Sequence, residues 1–545
     1  MRIAGIKWYP LHQSAVEFLT EEHMDGHNTV TVNTRDNDFL LIYVSIIRQP
    51  PSFMQVELGP KKTAWQTYGD ELVNPAVNIE DGHDTDDGTV GNANYLLKPA
   101  GATEYGAYAD AAGTIPATDD TEALKLKILA ATQTGKLEFE AGKNYLVSDT
   151  LMIDIARIRI VEGNNAAFIT SVDKPVFHVK GNLTTAAGPE EVYPITIAES
   201  ACGFQNVRTF GVNRKIGVGL VVEKTFGLKV QNCFFSYGRT GIEFRGFNRN
   251  IIVTGNHIFA HNQYGWHFTE SLNLHQGTFC NNMMMHSWKN IFGENTTIYN
   301  ITISNNDIEN GYWFFGGEDF YNDCNIHFKQ TTNPIQDVRI QNNTLEDHWR
   351  TQKSVHFEGL QNSSFAAIAF VGNRASNTLN NVIVISGMSG GTFTGNNFGT
   401  SYGSHILVNG FVNGVNISGN NFDVDRGSAL EIAGAFDVWT LKFDNNNLFS
   451  NCRKNPVLVK VNNIRNASFS NNLFSIAGDT YYDKTKGAID IQLNGNGQAK
   501  LIRADNNNLM FGSVTGITKG ISLPSSTVGK STFGNISDVD GITYQ

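Results

Sequence analysis

From Lys229 onward the chain repeats a short phrase: alternating residues, a small or polar residue, Asn, any residue, and an apolar one. Copies include Gln231-Asn232-Cys233-Phe234, Gly255-Asn256-His257-Ile258, Asn305-Asn306-Asp307-Ile308, Asn342-Asn343-Thr344-Leu345 and Gly419-Asn420-Asn421-Phe422. The series runs on to Asn471-Asn472-Leu473 and Asn507-Asn508-Leu509, with most copies 23 to 26 residues apart and a few as many as 37. A second phrase lies between the copies, apolar–any–apolar, as in Ile242-Glu243-Phe244, Trp266-His267-Phe268, Ile326-His327-Phe328 and Val355-His356-Phe357. Period two is the mark of strands. Several short strands per repeat, at a repeat length near 24, predict an all-β fold in which each coil stacks on the last at the inter-strand distance of about 4.8 Å. The apolar positions then build one continuous interior. The recurrent Asn is expected to form a stacked ladder whose amides bond successive coils.

Ahead of the repeat, Leu124–Ala131 has helical composition, with Asp119, Asp120 or Thr121 as its N-cap and Gly135 as its stop. Leu137-Glu138-Phe139 and Tyr145-Leu146-Val147 read as the first strands, and the helix as a cap over the open end of the coil. Residues 1–98 lack the repeat but contain strand-like runs such as Phe39–Val44, which predicts a small β domain and linker. The repetitive body spans 99–511, and 512–545 is read as a short C-terminal cap.

Composition narrows the function. The 545 residues carry a net charge of −11, so no basic field attracts nucleic acid or an anionic membrane. The first residues lack the apolar run of a secretory signal, and no segment has the length of a transmembrane helix. Five scattered cysteines without CxxC spacing predict reduced thiols, neither a disulfide framework nor a zinc site. Synthesis in a reducing cytoplasm is the expectation.

The run Tyr105-Gly106-Ala107-Tyr108-Ala109-Asp110, then Asp119–Leu124, then Gly135–Val147 (GKLEFEAGKNYLV) resembles the opening of the pectate-lyase-like β-helix domain of many phage tailspikes. With the repeats, the resemblance covers about residues 100–510. It implies a right-handed parallel β-helix, a homotrimer, an N-terminal module that attaches to the phage tail, and a bacterial surface polysaccharide as partner. It also implies a place on the virion tail, with action at the outer surface of the bacterium. The fold alone does not fix the chemistry, because it hosts lyases, hydrolases, esterases and inactive binders.

The repeat supplies a coordinate system for candidate chemistry. Three residues after the ladder Asn the side chain faces outward, and in two consecutive coils that place holds Glu309 and Glu346. Asp347 follows directly. Two carboxylates a coil apart repel one another, which raises one pKa and suits an acid paired with a base or nucleophile. An aromatic and acidic insertion, Gly311–Asp323, supplies Tyr312, Trp313 and Asp319; Trp288, His348, Trp349 and Arg350 lie at the same corner in neighbouring coils. Flat rings among polar groups suit sugar faces. A second outward column is read as Glu243, His267, Phe292, His327, His356, Ile383, Leu407, Glu431, Leu458 and Asp490. His327 and His356 are stacked neighbours in it, and its apolar members call for a cover, most simply a subunit interface.

No P-loop, GxSxG elbow, HExxH or metal-spaced His/Cys set is present, so no cofactor and no metal are expected. The preferred function is endo-acting glycoside hydrolysis by Glu309, Glu346 and Asp347. The alternatives are a polysaccharide lyase using His327, His356 and Arg350, a receptor-binding spike without catalysis, and a secreted pectinase-like enzyme, which the missing signal disfavours.

Overall fold

A computed structural model describes residues 5–8, 40–43, 91–98, 102 and 104–183, and most of 202–544. Within that last stretch it leaves out 310–323, 347–351, 360–364, 379, 425, 434–437, 451–456, 463, 478–486, 492–500, 513–518, 524–528 and 539–541. The chain divides into two compact units, Met1–Asn78 and Ile79–Gln545. In the first, Gly5–Trp8 pairs antiparallel with Leu40–Tyr43, so the apolar run near Phe39 does form a strand.

The second unit is a parallel β-helix. Coils contribute strands to three stacks, and in some coils the first-stack strand is split in two, as in Phe365–Ala366 and Ala369–Val371. A typical coil runs Phe247–Thr254 in the first sheet, His257–Phe259 in the second and Tyr264–Phe268 in the third. The next coil repeats the pattern in register, Ile258 opposite Met284 and Trp266 opposite Ile291. The second and third sheets each hold 15 strands. Coiling goes on past Phe511, where Gly529–Ser531 and Ile536–Ser537 stack on Leu501–Arg503 and Asn508–Met510.

Period-two burial builds the core. In Asp307-Ile308-Glu309 only Ile308 points inward, fully buried, and Leu345 repeats this one coil on. Rings also stack up the interior, Phe244 on Phe268 at 5.2 Å and Phe398 on Phe422 at 4.9 Å between centroids. Burying such rings drives stacking non-directionally; hydrogen bonds then fix the register.

The Asn ladder is the clearest of those bonds. Asn282 Oδ1 accepts both the backbone N–H of Asn256 (3.0 Å) and its Nδ2 (2.9 Å), while Asn282 Nδ2 donates to Val253 O (3.0 Å). Asn306, Asn343, Asn373, Asn396, Asn420, Asn446, Asn472, Asn507 and Asn535 continue the same pattern. The residue before each ladder Asn is left-handed, with φ of +67° at Gly255, +57° at Asn281 and +53° at Asn305. Only Gly and Asn adopt that conformation at little cost, which is why the phrase alternates between them. Two copies are shifted by one residue from the sequence reading. Asn232 is itself the left-handed residue (φ +53°), and Cys233 fills the ladder place, its N–H bonding Asn256 Oδ1 at 2.9 Å. Near the other end Asn507, not Asn508, is the ladder member.

The cap helix α1 spans Thr121–Thr134 and closes on Gly135 in a left-handed turn, φ +74°. Buried Asp120 precedes it, and its carboxylate accepts N–H bonds from Gly91 (2.8 Å) and Leu146 (2.9 Å), tying the cap to the first coil. Asp119 takes the Thr121 N–H instead (3.0 Å).

Candidate functional site

The second sheet's outward face carries the carboxylates. Asp307–Glu309 pairs with Thr344–Glu346 residue for residue, so Glu309 lies directly opposite Glu346 one coil on. The expected stacking of these two acids is therefore the observed register. Both are half-buried. Glu346 Oε1 accepts Asn377 Nδ2 at 3.3 Å from the next coil, and the backbone carbonyl of Glu309 accepts His286 N at 3.1 Å and Asn290 Nδ2 at 3.2 Å. These bonds fix where the strand ends turn toward the third sheet.

Asp307 is the acid the sequence reading passed over. It sits two residues before Glu309, so the pleat turns it to the same face. Asp307 is itself exposed, yet the solvation it loses to the surrounding face, and then the charge of Glu346, push its carboxyl above the ordinary aspartate value. The signal was present: period two makes positions 307 and 309 equivalent, but only the last outward position of each strand was followed. Among the described residues the face thus holds three carboxyls within two coils.

Beyond Glu309 and Glu346 the chain passes to the third sheet, whose strands resume at Cys324 and Lys353. Asp347, Tyr312, Trp313, Asp319, His348, Trp349 and Arg350 fall in these connections, outside the described residues. One coil earlier, Trp288 occupies the same corner. Its ring lies 6.1 Å from that of Tyr264, and Lys289 Nζ sits 4.3 Å over it. Trp288 and Tyr264 are half-buried and offer an aromatic edge beside the acids.

The third sheet's outward column runs Glu243, His267, Phe292, His327, His356, Val384, Leu407, Glu431, Lys460, Asp490. Two positions differ from the sequence reading. Ile383 and Leu458 both point into the core at 0% exposure, and Val384 and Lys460 take their places. Sequence counting slipped there because the connections vary in length, and one residue exchanges the faces. Phe292 also finds its cover within the chain: it is 5% exposed under the Tyr264 ring, stacked at 4.6 Å and 17°, with Lys289 Nζ 4.5 Å from its centroid.

His327 and His356 are stacked at 4.7 Å, as the register demands, yet only 5% and 9% exposed. Glu358 Oε2 meets His327 Nε2 at 2.9 Å. Burial, with Lys289, His356, Lys353 and Lys329 nearby, pushes the His327 imidazole down to about 2, so it is neutral. So deep a pair shows little surface to a polymer. A separate cavity of about 430 Å³ on the second-sheet side is lined by Asn165, Arg208, Asn232, Phe234 and His257, among others, several coils before the acids.

Among the described residues, no helix is long and apolar enough to cross a membrane. No protein-family model matches the chain, and no curated protein matches it. Solved structures do. The Dettilon tailspike protein aligns at 14% identity, over 76% of this chain and 65% of its own, with a TM-score of 0.38. This chain thus spans just under two thirds of that protein. The tailspike protein of Pseudomonas phage LKA1 aligns at 11% identity over 79% of this chain and 82% of its own, TM-score 0.45. The tailspike protein of E. coli bacteriophage HK620, solved with a pentasaccharide, aligns at 11% over 90% and 83%, TM-score 0.40. What this chain is similar to, then, is a set of phage tailspike proteins.

Proposed function

We propose that the chain is a tailspike depolymerase that binds a bacterial surface polysaccharide and cleaves it internally by glycoside hydrolysis. The observation that carries this reading is the carboxyl cluster: Glu309 opposite Glu346 in the ladder, with Asp307 beside them and its pKa raised. Glycoside hydrolysis needs one carboxyl that keeps its proton and one carboxylate that acts on the other face of the sugar. Asp307 is suited to the first role. Glu346, oriented by Asn377, takes the second as base or nucleophile, and Glu309 shares the field between them. Asp347 follows Glu346 directly and belongs to the same proposed set.

Trp288 supplies an apolar sugar-stacking edge, with Tyr264 behind it. The connections bearing Tyr312, Trp313, Asp319, His348, Trp349 and Arg350 complete the binding face. In this reading the spike is a homotrimer on the virion tail, attached through its N-terminal unit and acting outside the bacterium.

The test is incubation with purified polysaccharide of the bacterium that the phage infects. Shortened chains with new reducing ends and no new ultraviolet absorbance support hydrolysis. A new unsaturated-sugar absorbance shows elimination and replaces the mechanism. Binding without shortening leaves a receptor-binding spike.

A further inference from the structure

Two successive coils of the third sheet bring together a donor set that sequence spacing conceals. His327 and His356 are 29 residues apart in the chain yet directly opposite in the sheet, and Glu358 lies two residues past His356 on the same outward face. One donor atom from each of the three falls within 4.8 Å of the other two. Glu358 Oε2 stands 2.9 Å from His327 Nε2 and 3.9 Å from His356 Nδ1. With metal–nitrogen and metal–oxygen bonds of about 2.0–2.1 Å, tetrahedral donors sit roughly 3.4 Å apart, and the two measured separations straddle that value.

We propose that His327, His356 and Glu358 form a divalent transition-metal site of the zinc type, clasping two adjacent coils beside the carboxyl face. Two imidazoles and one carboxylate are a nitrogen-rich set that selects zinc-like cations over magnesium or calcium. The donors ride on hydrogen-bonded strands, so the frame exists before the ion arrives. The histidines are nearly closed from solvent, whereas the Glu358 side chain is 33% exposed and provides the approach. Lys289, Lys329 and Lys353 stand near His327 and oppose a cation. Lys329 is offset by Glu294 at 2.7 Å, and Lys289 lies over the Trp288 and Phe292 rings. Three protein donors leave a fourth position for water or another ligand.

The experiment uses the full chain without a purification tag, stripped with chelator and equilibrated with zinc chloride. Metal is counted after gel filtration, and cobalt(II) serves as an optical probe. The expected result is one zinc per chain, tetrahedral cobalt bands, and a melting midpoint that rises with zinc. His356→Ala and Glu358→Gln should each weaken zinc binding at least tenfold, while Glu431→Gln, farther along the same face, should not. Glu358→Gln keeps the side chain's shape, so it remains informative if the histidine variant fails to fold. Wild type that retains no zinc, or a Glu358→Gln protein that binds it as tightly, overturns the proposal. Neither outcome bears on whether polysaccharide is cut.

Discussion

Replacing Asn396 with Ala removes one rung from the ladder and leaves its neighbours in place. The Asn396 side chain is fully buried and makes four bonds. Its Oδ1 accepts Asn373 N (2.9 Å) and Asn373 Nδ2 (3.2 Å), and its Nδ2 donates to Phe370 O (2.9 Å) and Asn420 Oδ1 (2.9 Å). Alanine orphans the buried Asn373 N–H and deprives Phe370 O of a partner, while Asn373 Nδ2 keeps Ile340 O at 2.9 Å. An unsatisfied buried group costs about 1–3 kcal/mol, so a loss on the order of 2–6 kcal/mol follows for the N–H and the carbonyl. Exposed Asn397, one residue on, is the control, and Asn397→Ala should stay within about 0.5 kcal/mol. A stacked-coil protein is coupled mainly to its nearest neighbours. The defect should therefore be local, and hydrogen exchange reads it better than one global midpoint. The Asn373 amide should lose protection by two or more orders of magnitude, with amides several coils away unchanged. Equal protection in Asn396→Ala and Asn397→Ala would refute the claim that the ladder fixes the stack.

Three further outcomes follow from the same geometry. Burial holds His261 at about 4, below the ordinary 6.5, with Phe235 O and Gly238 O against its ring. The unfolded chain thus binds the proton first, so stability is full above 6.5 and falls as pH drops toward 4, by about 3 kcal/mol; His261→Gln should flatten denaturation midpoints across that window. Asp307 shifts the other way, so ionising it works against folding as pH rises. Asp307→Asn should match wild type in acid and be slightly more stable at neutral pH, and a less stable variant at pH 7 would contradict the assignment. Burial pushes the Cys233 thiol up to about 12, so a maleimide should leave Cys233 unmodified in the native protein while half-buried Cys280 reacts, as peptide mapping can show.

The sequence was most legible where one physical rule repeats. Period two and the recurrent Asn disclosed the coil, the inward column through Ile308 and Leu345, and the facing of Glu309 on Glu346, because register propagates through every rung. Legibility failed where a count had to cross a connection of variable length: Ile383 and Leu458 went to the wrong face. Left-handed residues also misled the reading, since Asn232 and the true ladder residues are chemically alike and only the backbone angle separates them. Asp307 was missed because its neighbour Glu309 drew attention to one column of a face that has two. The His327–His356–Glu358 cluster could not be read as ligand spacing at all, since a β-helix brings together residues a full coil apart.

If the carboxyl face cuts a polymer, removing its acids must leave that polymer long. Purified host surface polysaccharide is sized by gel filtration after incubation with wild type, Glu309→Gln, Glu346→Gln and Asp307→Asn, all verified as folded by far-ultraviolet circular dichroism. Wild type should shorten the polymer, and Glu346→Gln and Asp307→Asn should slow shortening by about a hundredfold or more, the usual worth of a general acid or base. Glu309→Gln should show a smaller loss. Equal shortening by all four proteins would contradict the site, and polymer bound at full length by wild type would contradict the enzyme.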